Sequence, residues 1–155
     1  MEFDLLNGDT RILDLPKTGF LCSYRDVPIS KLTKSYEWAI EQRKTMNCIV
    51  SGFHSDVEKT VFHILLTGSA YLIRILAKGK EDIACKEYQN YIDDSRLLIL
   101  SPFSSSVTKV TRETCRERNK IIFEISDKIV IGHARKGGMI EKMSMKYQKN
   151  KIINL

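Results

Sequence analysis

Residues 50–68 read VSGFHSDVEKTVFHILLTG. The β-branched run through Val50 halts at Ser51 and Gly52, turns, and re-enters as a helix beginning Ser55, Asp56, Val57, Glu58. Val57, Val61, Ile64 and Leu65 recur at helical spacing, and Gly68 closes the segment. A strand that feeds a helix through a short glycine turn is the repeating unit of a parallel α/β sheet. The turn has two readings. Serine and glutamate in an S-x-x-E run before an apolar helix form a capping box, in which Ser55 and Glu58 each satisfy the other's backbone N–H, with Glu58 as a catalytic acid the alternative. The same helix start, with a glycine beside it, also presents N–H groups and a partial positive charge to an anion.

Working outward, the unit recurs along the chain. Strand-like runs TGFLCS, NCIVSG, AYLIRIL, RLLILS, DKIVIGHA and KIINL alternate with five stretches of helical period, the longest being VTKVTRETCRERNKIIFEIS at 107–126. Strict alternation predicts an α/β fold, a doubly wound and mostly parallel sheet of about six strands with helices on both faces. Arg74 is a charge inside the third strand and places that strand at an edge, which gives the Rossmann-like order 3-2-1-4-5-6. A ligand would then sit beyond the carboxyl ends of strands one and four, where the winding reverses. The expected organisation is a single domain over residues 1–155, with 1–16 as an N-terminal extension.

The chain has 155 residues, 43% of them hydrophobic, enough for one domain with a real core. Its start lacks the features of a secretory signal, and no apolar run approaches the ~18 residues of a membrane span, so a cytoplasmic protein with no membrane partner is expected. Cys22, Cys48, Cys85 and Cys115 form no CxxC pair, and His54, His63 and His133 add no zinc-like spacing. We expect no disulfide, no metal and no cofactor. The net charge is +6, and it is concentrated. From Arg135 onward six basic residues face Glu141 alone, and Lys109, Arg112, Arg116, Arg118 and Lys120 face Glu113 and Glu117. Such clusters fit a polyanion, or else a solvated helix face laced by i,i+4 pairs.

The loops narrow the chemistry. No GxGxxG follows the first strand and no GxxxxGK[ST] occurs, which removes the usual dinucleotide and P-loop sites. What remains is hydroxyls, glycines and cations near helix starts: Ser23 and Arg25, Ser51 and Gly52, Ser101 and Ser104 to Ser106, and Arg135 to Gly138. That combination suits phosphate. No nucleophile elbow surrounds Ser51, and no catalytic residue is assigned. Arg118 lies nearer the apolar side of its helix, with Ile121, Ile122 and Ile125, so it needs a partner. Asp127 or Glu58 could pair with it, or its fork of donors could lean into the crevice to meet an anion. Tyr24, Phe53 and Phe103 end three loops and either stack on bases or fold back on the core.

The stretches IVSGFHSDVEKTVFHILLTG, LIRILAKG, SRLLILSPF and RETCRERNKIIFEISDKIVIGHARKGG resemble, in order and spacing, the Rossmann-like domain of the DNA-processing protein A (DprA/Smf) family of the SLOG superfamily. The resemblance runs from about Lys17 to the C-terminus, and the Arg118-Asn119-Lys120 step before two isoleucines is its most specific part. It implies phosphate or nucleic-acid contacts at Ser23, Ser51, Gly52, Arg118, Asn119, Gly137 and Gly138. With the readings above, the candidate binding set adds Arg25, His54, Ser55, Arg112 and Arg116. Asp56 stands where the family has a second glycine, Glu58 where it has aspartate, and Phe62 where it has histidine. The resemblance implies a protein that binds single-stranded DNA and is not an enzyme. The alternative is a nucleotide-binding or nucleotide-processing protein that uses the same pocket, with Glu58 or Glu141 as acid or base. A homodimer stays open, and a recombinase partner follows from the resemblance alone.

Overall fold

The computed structural model describes residues 2–80 and 83–155. Seven strands form one sheet: β1 (Leu5–Asn7), β2 (Lys17–Cys22), β3 (Cys48–Ser51), β4 (Tyr71–Ile75), β5 (Leu97–Ser101), β6 (Lys128–His133) and β7 (Ile152–Asn154). The helices are α1 (Ile29–Gln42), α2 (Asp56–Leu66), α3 (Gln89–Asp93), α4 (Arg112–Ile125) and α5 (Met139–Ser144). The sheet order is β1-β5-β4-β3-β2-β6-β7, all parallel except β1, which runs antiparallel to β5.

This corrects the expected order. Counting from β2, the parallel strands run 4-3-2-1-5-6, so the fourth lies beside the third and not beside the first. Arg74 therefore marks no edge. Strand β4 is flanked by β3 and β5, and the long Arg74 side chain reaches past the strand, its guanidinium 5.6 Å from the centre of the Phe62 ring and 5.9 Å from that of Tyr88. Residues 5–14, read from sequence as part of an extension, supply the antiparallel edge β1 and a 3-10 turn that buries Ile12 in the core.

Side chains alternate across each strand, so the sheet feeds two cores. Phe20, Ile49, Leu72 and Leu97 pack with Ala39 of α1, Val61 and Leu65 of α2 and Ile92 of α3. Leu21, Val50, Ile73 and Leu98 pack on the other face with Ile122 and Phe123 of α4 and Ile140 and Met143 of α5. Helices α1 to α3 carry the chain in one direction from β2 to β5. Helix α4 brings it back across the opposite face to β6, on the far side of β2. The winding thus reverses between β2 and β6, so the crevice lies at the end of the first parallel strand as expected, but its other strand is the fifth and not the fourth. At that end the β2–β6 register slips: Leu21 pairs with Ile131 but Cys22 with His133.

Two expected helices are shorter than their patterns. Helix α4 begins at Arg112, because Thr111 is extended and its hydroxyl accepts from the Thr114 N–H while Thr114 bonds back. The helical stretch EDIACKEYQNYID at 81–93, one of the five read from the sequence, consists of a 3-10 turn at Ile83–Tyr88 and the short α3, with 81 and 82 outside the described residues.

Candidate functional site

Strands β2 and β6 end side by side, and their loops are laced together. The Ser23 N–H donates to the His133 carbonyl at 2.8 Å, and the Ser23 hydroxyl accepts from the Arg135 N–H at 2.7 Å. The opening between these loops and the first turns of α4 is a crevice of about 450 Å³. Cys22 and Ser23 form its base, Tyr24 and Arg25 one lip, Gly138 to Ile140 the other, and Thr111, Arg112, Cys115, Arg118 and Asn119 the helical wall. Four arginines (25, 112, 118 and 135) line it against one carboxylate, Glu58.

That carboxylate is fully engaged. One oxygen of Glu58 accepts from the N–H groups of His54 (3.0 Å) and Ser55 (3.2 Å), and the other from Cys22 at the end of β2 (3.0 Å). The Ser55 hydroxyl accepts from the Glu58 N–H, which completes the capping box read from the sequence. Ser51, fully buried, accepts from Phe53 through its hydroxyl. The turn after β3 therefore supplies its own acceptors for the N–H groups of 53, 54, 55 and 58, so these groups do not project toward a ligand. Glu141 behaves similarly, accepting from the Gly137 N–H at 3.0 Å, where Gly137 turns with φ +74°.

Arg118 is only 4% exposed, yet among the described residues no carboxylate pairs with it. Neither Asp127 nor Glu58 is its partner: Asp127 accepts instead from the Lys17 N–H, at 2.7 Å. Arg118 Nε donates to Asn119 Oδ1 at 3.2 Å and Nη1 to His54 Nδ1 at 3.2 Å. A guanidinium has no acceptor, so His54 Nδ1 must be the acceptor and the imidazole proton resides on Nε2. Consistently, burial and then the charge of Arg118 push the His54 pKa down to about 4, leaving the ring neutral at pH 7. Gly52 makes this geometry feasible, since a Cβ there would lie 2.7 Å from Arg118 Cζ, Nε and Nη1. The guanidinium is thus clamped by neutral groups, with its charge uncompensated at the crevice wall.

The structure gathers Ser23, Arg25, Arg112, Arg118, Asn119 and Gly138 into one crevice. Gly52 and His54 line a smaller hollow on the other side of Arg118, Ser51 and Ser55 are buried in the turn, and Gly137 shapes the loop after β6. Arg116 points away, pairing with Glu113 at 2.7 Å. The Ser104 to Ser106 run after β5 is not part of the crevice; Val110 and Thr111, further along that segment, are. Phe53 folds into the core and stacks on Phe62, centroids 4.5 Å apart, whereas Tyr24 is 58% exposed at the crevice lip with its ring edge-on to His54. Met139 and Ile140 were not singled out in the sequence, where they read only as an apolar helix start.

Burial raises the Cys22 and Cys48 thiols to about 12, so both remain protonated packing groups. Among the described residues no cluster of His, Cys, Asp or Glu could hold a metal ion, and no helix is long and apolar enough to cross a membrane.

Two solved structures share the fold. DNA processing protein A of Streptococcus pneumoniae superposes with a TM-score of 0.70 at 18% identity, over 91% of this chain and 50% of its own. DNA processing protein A of Helicobacter pylori, described for a unique single-stranded DNA binding mode, superposes with a TM-score of 0.74 at 21% identity, over 96% of this chain and 69% of its own. The chain thus spans about half the length of the streptococcal protein. No curated protein sequence matches it. The family model of DNA recombination-mediator protein A matches residues 6–155, nearly the whole chain, and the protein belongs to that family.

Proposed function

We propose that the crevice between β2 and β6 binds single-stranded DNA through its phosphate backbone. The observation that carries the reading is Arg118, a buried guanidinium with neutral partners at the wall of a cleft. A buried cation without a counter-ion is costly unless a ligand supplies the charge, and phosphate matches its fork of donors. Arg25, Arg112 and Arg135 add charge around it, Arg135 with only an exposed ion pair to Asp26 at 3.7 Å, and the start of α4 opens on the same space. Tyr24 offers an exposed ring at the lip on which a base can stack. The single-stranded DNA binding mode described for the Helicobacter protein supports the same ligand. A recombinase is the partner that the family's description as a recombination mediator supports for the resulting nucleoprotein.

Phosphate contacts carry no sequence information, so the expected affinity is salt-sensitive and largely independent of base order. The test is anisotropy of a labelled single strand titrated with the protein at several salt concentrations, with duplex and mononucleotide competitors. Binding that prefers the single strand, with a log–log salt slope near −0.7 per neutralised phosphate, is expected. Arg118→Ala should lose at least roughly tenfold in affinity, about 1.4 kcal/mol. Unchanged binding by a variant that merely melts at lower temperature would remove Arg118 from the site.

One observation favours a second reading. A crevice of about 450 Å³ is within the ~300–1,000 Å³ range of small-molecule pockets and can enclose a nucleotide. Displacement of the strand by mononucleotide at comparable concentration would select it.

A further inference from the structure

A second cleft of about 390 Å³ runs along the outer side of α4, between that helix and α5. Arg112, Arg116 and Lys120 line it from α4, one per turn, each about 6 Å further along the axis. Lys142 of α5 and Lys146 in the turn after it face them, and Glu117 is the single acidic residue of the lining. Among the described residues no carboxylate pairs with Lys120, Lys142 or Lys146, and all three are exposed. Arg116 does pair with Glu113, but both side chains are about half exposed or more, and such a pair contributes little and yields readily to a competing anion.

Five cations facing one another across a groove repel, and the complement to that arrangement is an extended chain of negative charges. The groove is not isolated. Arg112 and Met139 line both it and the crevice, so the two form one continuous track around the start of α4. A compact anion would fill one position; only a polymer with regularly spaced charge can use all of them.

We propose that the α4–α5 groove is a second contact surface for single-stranded nucleic acid: the backbone leaving the crevice past Arg112 continues over Arg116, Lys120, Lys142 and Lys146. The inference rests on the single-strand reading of the crevice. It separates a short footprint, held by the crevice alone, from a long one that also occupies the groove.

The experiment uses the full chain, a triple variant Lys120→Gln, Lys142→Gln, Lys146→Gln, and the Arg118→Ala variant. Each is titrated with oligothymidylates of about 6 and about 20 nucleotides, one near the lower end and one beyond the upper end of the ~4–16-nucleotide range of single-strand sites. The triple variant alters only exposed side chains, and its melting temperature serves as the folding control. It should bind the short oligomer as the parent does. Its affinity for the long one should fall roughly tenfold or more at low salt, with a log–log slope shallower by about 2, three lost phosphate contacts at ~0.7 each. An unchanged long-oligomer slope, with Arg118→Ala weakening both lengths, overturns the groove and leaves the crevice standing. Arg118→Ala without effect on the short oligomer overturns the crevice reading, and the continuing strand falls with it. An unchanged long-oligomer slope combined with sedimentation of the parent, but not the triple variant, on phosphatidylserine vesicles would make the groove a membrane-facing surface and the proposal wrong.

Discussion

Arg118 and Gly52 act as one unit although 66 positions separate them. The arginine was legible in the sequence as a cation on an apolar helix stripe, and so was the need for a partner. That the partner is His54, and that Gly52 is the cushion beneath the guanidinium, could not be read, because both depend on α4 crossing back over the end of β3. Gly52→Ala tests the unit without removing a charge. Its new methyl would meet the guanidinium 2.7 Å away, and the side chain must leave its clamp. The expected outcome is a fold that melts within a few degrees of the parent but binds the single strand roughly tenfold more weakly, about 1.4 kcal/mol, as read by melting and anisotropy on one preparation. A glycine that matters only for folding would give the reverse pattern.

At the scale of elements, Glu58 is a brace. It was legible as a helix cap, but its second oxygen reaches the Cys22 N–H, 36 residues earlier, and so ties the start of α2 to the end of β2. Glu58→Ala should therefore cost more than an ordinary cap. It strands the N–H groups of Cys22, His54 and Ser55 in a buried setting, and a loss of about 3 kcal/mol or more in urea denaturation is expected, against roughly 1 for a cap alone. A loss near 1 would mean that water replaces the carboxylate. The strand and helix alternation came through from periodicity, since the inner strands β3 and β5 are buried along their whole length and read as short continuous apolar runs. Strand order did not, because the pattern of a parallel strand is the same wherever it sits. Arg74 misled for a physical reason: a side chain long enough to reach the rings of Phe62 and Tyr88 does not need an edge. Strand β1 is three residues long, too short to show any period. The register of each candidate residue against the crevice followed the order, which is why the Ser104 to Ser106 loop was expected there and lies elsewhere.

For the molecule as a whole, the crevice spans the seam where the two halves of the sheet meet, so a ligand bound there holds β2 to β6 and not one loop to another. A ligand that binds only the folded state adds about 2.7 kcal/mol at one hundred times its dissociation constant. In a domain of this size that corresponds to a rise of roughly 5–10 °C in melting temperature. Oligothymidylate at that ratio should shift the entire transition upward as a single step in a fluorimetric melt; a shift confined to one of two resolved transitions would show that the halves unfold independently. The pairing of Thr18 with Lys128 has a consequence in time as well. A ribosome releases β2 through β5 first, and these strands are neighbours that can associate as they emerge. The opposite bank of the cleft arrives only after α4 has swung back across the sheet. A nascent chain halted before residue 128 therefore presents half a cleft and no seam, and the cleft is complete only once β6 has joined β2.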